Sequence, residues 1–115
     1  MPKPFLLLVL TVAPLAAAGF TLIPRPQNVE MKLAVDGVCG MCRYRIEETA
    51  MSVKGVHAAD WDPELRLLTV TVDPDIQASP RLLQQTLAEA GHDTSGPKAE
   101  DAVYESLPGC CRYRQ

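Results

Sequence analysis

The sequence has no surplus of positive charge: 11 Lys and Arg stand against 14 Asp and Glu among 115 residues. That mildly acidic balance argues against nucleic acid as a partner, since such proteins show a basic patch or stripe. Aromatic residues are few, and neither an internal repeat nor a low-complexity tract is visible. The acidic residues Asp60, Asp62, Asp73 and Asp75 lack the ligand spacing of a calcium loop and read as turn and edge solvation. No cysteine directly follows the N-terminal apolar run, which argues against attachment as a lipoprotein.

That apolar run is the first positive feature. Lys3 precedes it, Phe5 to Ala18 forms it with interruptions only at Thr11 and Pro14, and Ala16-Ala17-Ala18-Gly19 closes it. A basic start, a short apolar middle and small residues at the end follow the order of a secretory signal. Residues 1–18 are therefore expected to be a signal peptide cleaved after Ala18. The rival reading is an uncleaved anchor, because Gly19 to Ile23 extends the apolar stretch to about the minimum spanning length of ~17 residues. Removal of residues 1–18 from the 115 leaves 97, enough for one small core, with 10 basic residues against 14 acidic once Lys3 is gone. The expected location is periplasmic or secreted, with membrane attachment only if the segment is retained. Residues 19–28, punctuated by Pro24 and Pro26, read as a linker.

Four cysteines in a short exported chain ordinarily suggest disulfides. Here they come as two close pairs, Cys39/Cys42 and Cys110/Cys111, where a framework of cross-links would scatter them. Paired thiols read better as ligand or redox sites. Cys39-Gly40-Met41-Cys42 also lies where an alternating pattern gives way to a helical one. Negative charge is favoured at a helix N-terminus, and cysteines placed there can have their pKa lowered. A structural disulfide is the blander alternative, but so small a closed ring constrains little chain entropy.

Val29, Met31, Leu33 and Val35 alternate with polar residues, the period of a half-buried strand ending at Asp36. Cys42 to about Met51 reads as a helix with Ile46, Ala50 and Val53 facing inward, and Lys54-Gly55 ends it. Val56 to Asp62 is a second strand, with Val56, Ala59 and Trp61 inward if a local irregularity is allowed. Leu68, Val70 and Val72 mark a third strand, paired with the second as a hairpin. Ser79-Pro80 starts a second helix through Leu83, Leu87 and Ala90, closed by Gly91. His92 to Pro97 is rich in breakers and gives at best a stub of edge strand. Ala99 to Leu107 is weakly helical and stops at Pro108-Gly109. The fold class is thus α+β, a βαββαβ sandwich with a short or missing last strand and a weakly helical tail.

A strand, then Gly37-Val38-Cys39-Gly40-Met41-Cys42, a helix with Ile46-Glu47 and the turn Lys54-Gly55-Val56 together resemble the heavy-metal-associated domain. That family includes copper chaperones, the periplasmic mercury-binding protein and modules of metal-pumping ATPases. The hairpin, the second helix and Ala90-Gly91-His92 continue the likeness. The resemblance implies a ferredoxin-like fold, and it divides the chain into a domain at 29–95 and a Cys-Cys tail at 96–115. Three departures stand out. The approach to the first cysteine is one residue shorter than the family's Gly-Met-x-Cys, so its inward methionine is replaced by Val38 or lost. His92 follows Ala-Gly where the family commonly has an aromatic residue or lysine. Cys110-Cys111 lies outside the usual domain.

Two thiolates on one loop suit linear coordination of soft ions, because soft sulfur selects Cu(I) and Hg(II). Cys39 and Cys42 are the expected ligands and Cu(I) the first expected ion, with Hg(II) next. Zn(II) or Cd(II) would need further ligands, which Cys110 and Cys111 supply if the tail folds back, although adjacent side chains usually diverge. Those two cysteines also read as a transfer pair or an oxidised vicinal pair. Met41 is either a thioether ligand or an outward spacer, the more common fate. By resemblance His92 lies beside the metal loop, as a ligand or a charged neighbour; a solvent-exposed turn histidine is the equal alternative. His57 reads as a polar-face residue. Arg43 and Arg45 either stabilise a bis-thiolate complex or form an ordinary solvated face.

The expected function is an exported protein, not an enzyme, that captures a soft ion and delivers it to a metal-transporting membrane protein or efflux system. A thiol–disulfide oxidoreductase would use the same cysteines, but the strand order and the absence of a cis-proline context argue against it. A passive sequestering module is the third reading.

Overall fold

The computed structural model describes Gly19, residues 28–76 and residues 78–114. The expected signal segment at 1–18 and most of the linker lie outside these residues. Among the described residues, alternation of apolar and polar side chains produces three strands: β1 Val29–Ala34, β2 Val56–Asp62 and β3 Leu67–Val72. They form one antiparallel sheet in the order β1-β3-β2, with Leu33 opposite Leu68 and Trp61 opposite Leu68 on the other side. Leu68, Val70 and Val72, every second residue of the central strand, are all buried. The irregularity expected in β2 is a register shift between Val56 and Ala58, which restores Trp61 to the inner face.

Helix α1, Gly40–Met51, covers the sheet with Cys42, Ile46 and Ala50, four residues apart on one side. It starts two residues before the expected Cys42, because Cys39 in extended conformation (φ −136°, ψ 175°) is the N-cap and helical dihedrals begin directly after it. Helix α2, Pro80–Glu89, buries Leu83, Leu87 and Ala88. Ser79 caps it, its hydroxyl accepting from the Leu82 amide at 3.1 Å, with proline in the first turn as the sequence led us to expect. Trp61, wholly buried, donates from Nε1 to the Val35 carbonyl at 3.0 Å and ties the end of β1 to β2.

The sixth element of the sandwich is reduced to one bridge, Val35 to Thr94, with the Asp36 amide donating to Asp93 at 2.9 Å. The tail differs more from expectation. Helix α3 is only Asp101–Glu105, shorter than the Ala99–Leu107 stretch, and a single 3-10 turn follows at Gly109–Cys111. Yet Tyr104, Leu107, Cys111 and Tyr113 are buried in the same core as the sheet and helices. Beyond the last helix the tail is held by side chains, not by regular structure.

Candidate metal centre

The loop between β1 and α1 is shaped from behind by Trp61. An added Cβ at Gly37 would lie 2.9 Å from the Trp61 ring and 3.1 Å from Ile46, so only glycine lets the chain pass. Val38 does not take the place of an inward methionine: it is 47 % exposed, because Gly37 occupies the close approach and turns the next side chain outward. Cys39 then falls at the mouth of α1, partly buried, and Cys42 lies within the first turn, fully buried. Their sulfurs are 3.7 Å apart and unbridged.

The α1 N-terminus acts on Cys39 directly. Its thiol makes no full capping hydrogen bond, yet the backbone N–H of Cys42, followed by the Cys42 thiol and the Met41 amide, lowers its pKa to about 7 against the opposing effect of burial. A good fraction of Cys39 is therefore thiolate at neutral pH, the form that binds metal. Arg43, by contrast, is engaged elsewhere, with Glu47 at 2.7 Å and with Asp60. Its role is that of a surface ion pair. His57 is exposed and faces Asp73 at 3.6 Å.

The tail brings a third sulfur. Cys39, Cys42 and Cys111 form a group in which every ligand atom lies within 4.8 Å of the others. Cys111 is fully buried, and burial first of all, with Cys42 next, pushes its thiol well above the ordinary range. Cys110 diverges from it, as adjacent side chains do: it is exposed, with Sγ 3.8 Å from the Met41 sulfur. Met41 itself is 51 % exposed, so these two sulfurs form an outer pair at the surface.

His92 is not a solvent-exposed turn residue. It is fully buried, its Nδ1 lies 2.9 Å from the Asp36 carbonyl and its ring stacks on Tyr113 with centroids 5.7 Å apart. Burial lowers its pKa, outweighing the Asp36 carbonyl. Among the described residues its Nε2 is a buried nitrogen without a hydrogen-bond partner, and the compact group of sulfurs does not include it.

The residues that seat Cys111 had no place in the sequence reading. The Tyr113 hydroxyl donates to the Gly91 carbonyl at 2.8 Å and accepts from the Asp93 amide at 2.6 Å. Arg114 binds Asp93 with Nε and Nη2, reaches Asp101 at 2.9 Å and the Ala99 carbonyl at 2.6 Å, and lies 4.3 Å over the Tyr104 ring. The available signal was the alternation of buried Cys111 and Tyr113 with outward Arg112, a strand-like period too short to recognise alone.

Comparison with known proteins bears on both fold and family. The family model for the heavy-metal-associated domain matches residues 32–93. Among solved structures, oxidized MerP from Ralstonia metallidurans CH34 is 30% identical with a TM-score of 0.53, over 59% of this chain and 94% of that one. A CopZ metallochaperone is 25% identical with a TM-score of 0.53, over 57% of this chain and 98% of its own. The apo N-terminal domain of the zinc(II) ATPase ZiaA is 31% identical with a TM-score of 0.50, over 61% of this chain and 99% of its own. The search of curated proteins returned no match.

Proposed function

Because the chain belongs to the heavy-metal-associated domain family, we propose that it is an exported carrier that captures a soft metal ion through Cys39 and Cys42 and delivers it to a metal-transporting membrane protein. The observation that carries this reading is the pair of unbridged thiols, 3.7 Å apart at the mouth of a helix, one partly exposed and one buried. Soft sulfur ligands without a histidine or carboxylate in the group favour Cu(I) first and Hg(II) next. Zn(II) and Cd(II) are poorer cargo, since Zn(II) prefers a tetrahedron of four ligands.

Carriage requires release as well as capture. A partner thiol can enter the coordination sphere while one of the carrier's thiolates leaves, so the ion passes through complexes of two and three sulfurs and is never bare. A partly exposed Cys39 above a buried Cys42 offers one accessible sulfur for that exchange. Export rests on the order of residues in 1–18 and makes the periplasm or the exterior the place of action. The chain is read as a carrier, not an enzyme, in keeping with the metallochaperone among its structural neighbours.

Titration of the reduced full chain with Cu(I) tests this. One equivalent should bind tightly in the wild type, and the Cys39→Ser/Cys42→Ser variant should lose it. Equal binding by that variant would remove the basis of the proposal. Transfer separates carriage from passive sequestration: loaded protein should pass Cu(I) to a competing thiol acceptor within seconds, where a sequestering module would hold it.

A further inference from the structure

Resting on that reading but going beyond its two ligands, we propose that Cys111 is a third sulfur ligand, so that the ion sits in a flat triangle of Cys39, Cys42 and Cys111 and the C-terminal tail is part of the binding site.

Distances favour the triangle over a linear pair. With metal–sulfur bonds of about 2.3 Å, a flat triangle places its sulfurs about 4 Å apart, whereas a linear complex places them about 4.6 Å apart. Cys39 and Cys42 stand at 3.7 Å, and no two of the three sulfurs are more than 4.8 Å apart. Closing a triangle keeps the loop pair near its present spacing and asks the third sulfur to approach by at most about 0.8 Å. Linear binding would force the loop cysteines apart by about 1 Å while the third sulfur stays beside the ion without bonding it.

Cys111 is also held in place from both sides. Upstream, Leu107 packs so tightly on Gly91 that an added Cβ there would come within 2.9 Å. Downstream, Tyr113 bridges the Gly91 carbonyl and the Asp93 amide, and Arg114 pairs with Asp93. The 3-10 turn between these anchors packs against α1 and presents Cys111 to the thiol pair. Only one of the adjacent cysteines enters, because Cys110 points to the surface.

The chemistry defines the cargo class. Three sulfurs with no nitrogen or oxygen ligand fit a soft d10 ion, Cu(I) or Hg(II), and leave Zn(II) one ligand short. Three metal–sulfur bonds form, and the thiol protons pass to solvent. The triangle then carries two net negative charges with Cu(I) and one with Hg(II), beside the N-terminus of α1, where negative charge is favoured.

X-ray absorption on the reduced, full-length chain loaded with one equivalent of Cu(I) counts the ligands. Three sulfurs are expected in the wild type and in Cys110→Ser, and two in Cys111→Ser, with Cu(I) affinity reduced by at least about tenfold. Two sulfurs in the wild type would overturn the triangle while leaving the two-cysteine carrier intact. That count is made on unaltered protein, so it decides even if Cys111→Ser folds poorly. Failure of the carrier reading looks different: Cys39→Ser/Cys42→Ser would then still bind Cu(I) like the wild type.

Discussion

Arg114 grips Asp93 with two hydrogen bonds, Nε to Oδ2 at 3.0 Å and Nη2 to Oδ1 at 2.7 Å, across a sequence separation of 21 that ties the end of the tail to the segment after the second helix. Both side chains are largely shielded, 28 % and 11 % exposed. Arg114→Ala is therefore expected to cost about 1.5–3 kcal/mol, the range for hydrogen bonds to charged groups, seen as a lower urea midpoint with little change in slope. The pair also makes a prediction in acid. Arg114 first of all, then the Ala99 amide, holds the Asp93 carboxyl below its usual range. Its contribution is complete above the unfolded value of about 3.9 and is lost as pH falls from there through the folded value. Asp93→Asn should flatten the stability profile below pH ~4; an unchanged acid limb would show that other carboxylates control it.

Gly91 ends the second helix at φ +104°, a conformation that side chains rarely adopt, and Leu107 fills the space where a Cβ would go. Gly91→Ala combines both penalties and should destabilise by more than about 1 kcal/mol. It should also loosen the tail more than the sheet. Hydrogen exchange checks this: amides of Leu107 and Cys111, bonded to Tyr104 at 3.0 Å and Pro108 at 2.8 Å, should lose protection before those of β3.

The sheet and both long helices were legible because each repeats its pattern often enough to be recognised. Leu68, Val70 and Val72 alternate through a whole strand, and Ser79-Pro80 punctuates the start of a helix. Even the kink in β2 showed, since Val56, Ala59 and Trp61 face one side only if a residue is skipped. The closeness of Cys39 and Cys42 was legible from their spacing together with their place between a strand and a helix. The tail was not, because one short helix and one 3-10 turn carry no usable period. Its position is set by contacts between residues distant in sequence: Tyr113 with Gly91, Arg114 with Asp93, Leu107 with Gly91. The burial of His92, which set aside one of its two equal readings, was hidden for a related reason. A histidine among breakers looks like a turn residue, and only the returning tail covers it with Tyr113.

That cover makes His92 a source of acid sensitivity. Burial depresses its pKa below the ordinary imidazole value, so the folded protein prefers the neutral ring. Stability from this preference is complete above the unfolded pKa of about 6.5 and declines as pH falls from there toward the folded value. Urea midpoints measured from pH 7.5 down to 5 should therefore fall in the wild type and fall less in His92→Asn, a variant that has no ring to protonate. Parallel slopes in the two proteins would place the proton uptake elsewhere.

The four thiols should differ in reactivity in a way the fold dictates. Cys110 is exposed and Cys39 partly so, whereas Cys42 and Cys111 are fully buried. Brief treatment of the metal-free, reduced protein with iodoacetamide should label Cys39 and Cys110 and spare the other two, as read by peptide mass spectrometry. The rate at Cys39 should rise with pH to a midpoint near 7, set by the Cys42 backbone N–H and the neighbouring thiol, where a free cysteine would titrate at about 8.5. Bound metal should suppress labelling of Cys39 and leave Cys110 reactive, since its sulfur faces Met41 at the surface and not the buried group. Replacing Cys42 with Ser keeps the backbone N–H but removes the thiol, so the Cys39 midpoint should rise only part of the way toward 8.5. A full return to that value would mean that the helix terminus contributes nothing and the sulfur pair everything.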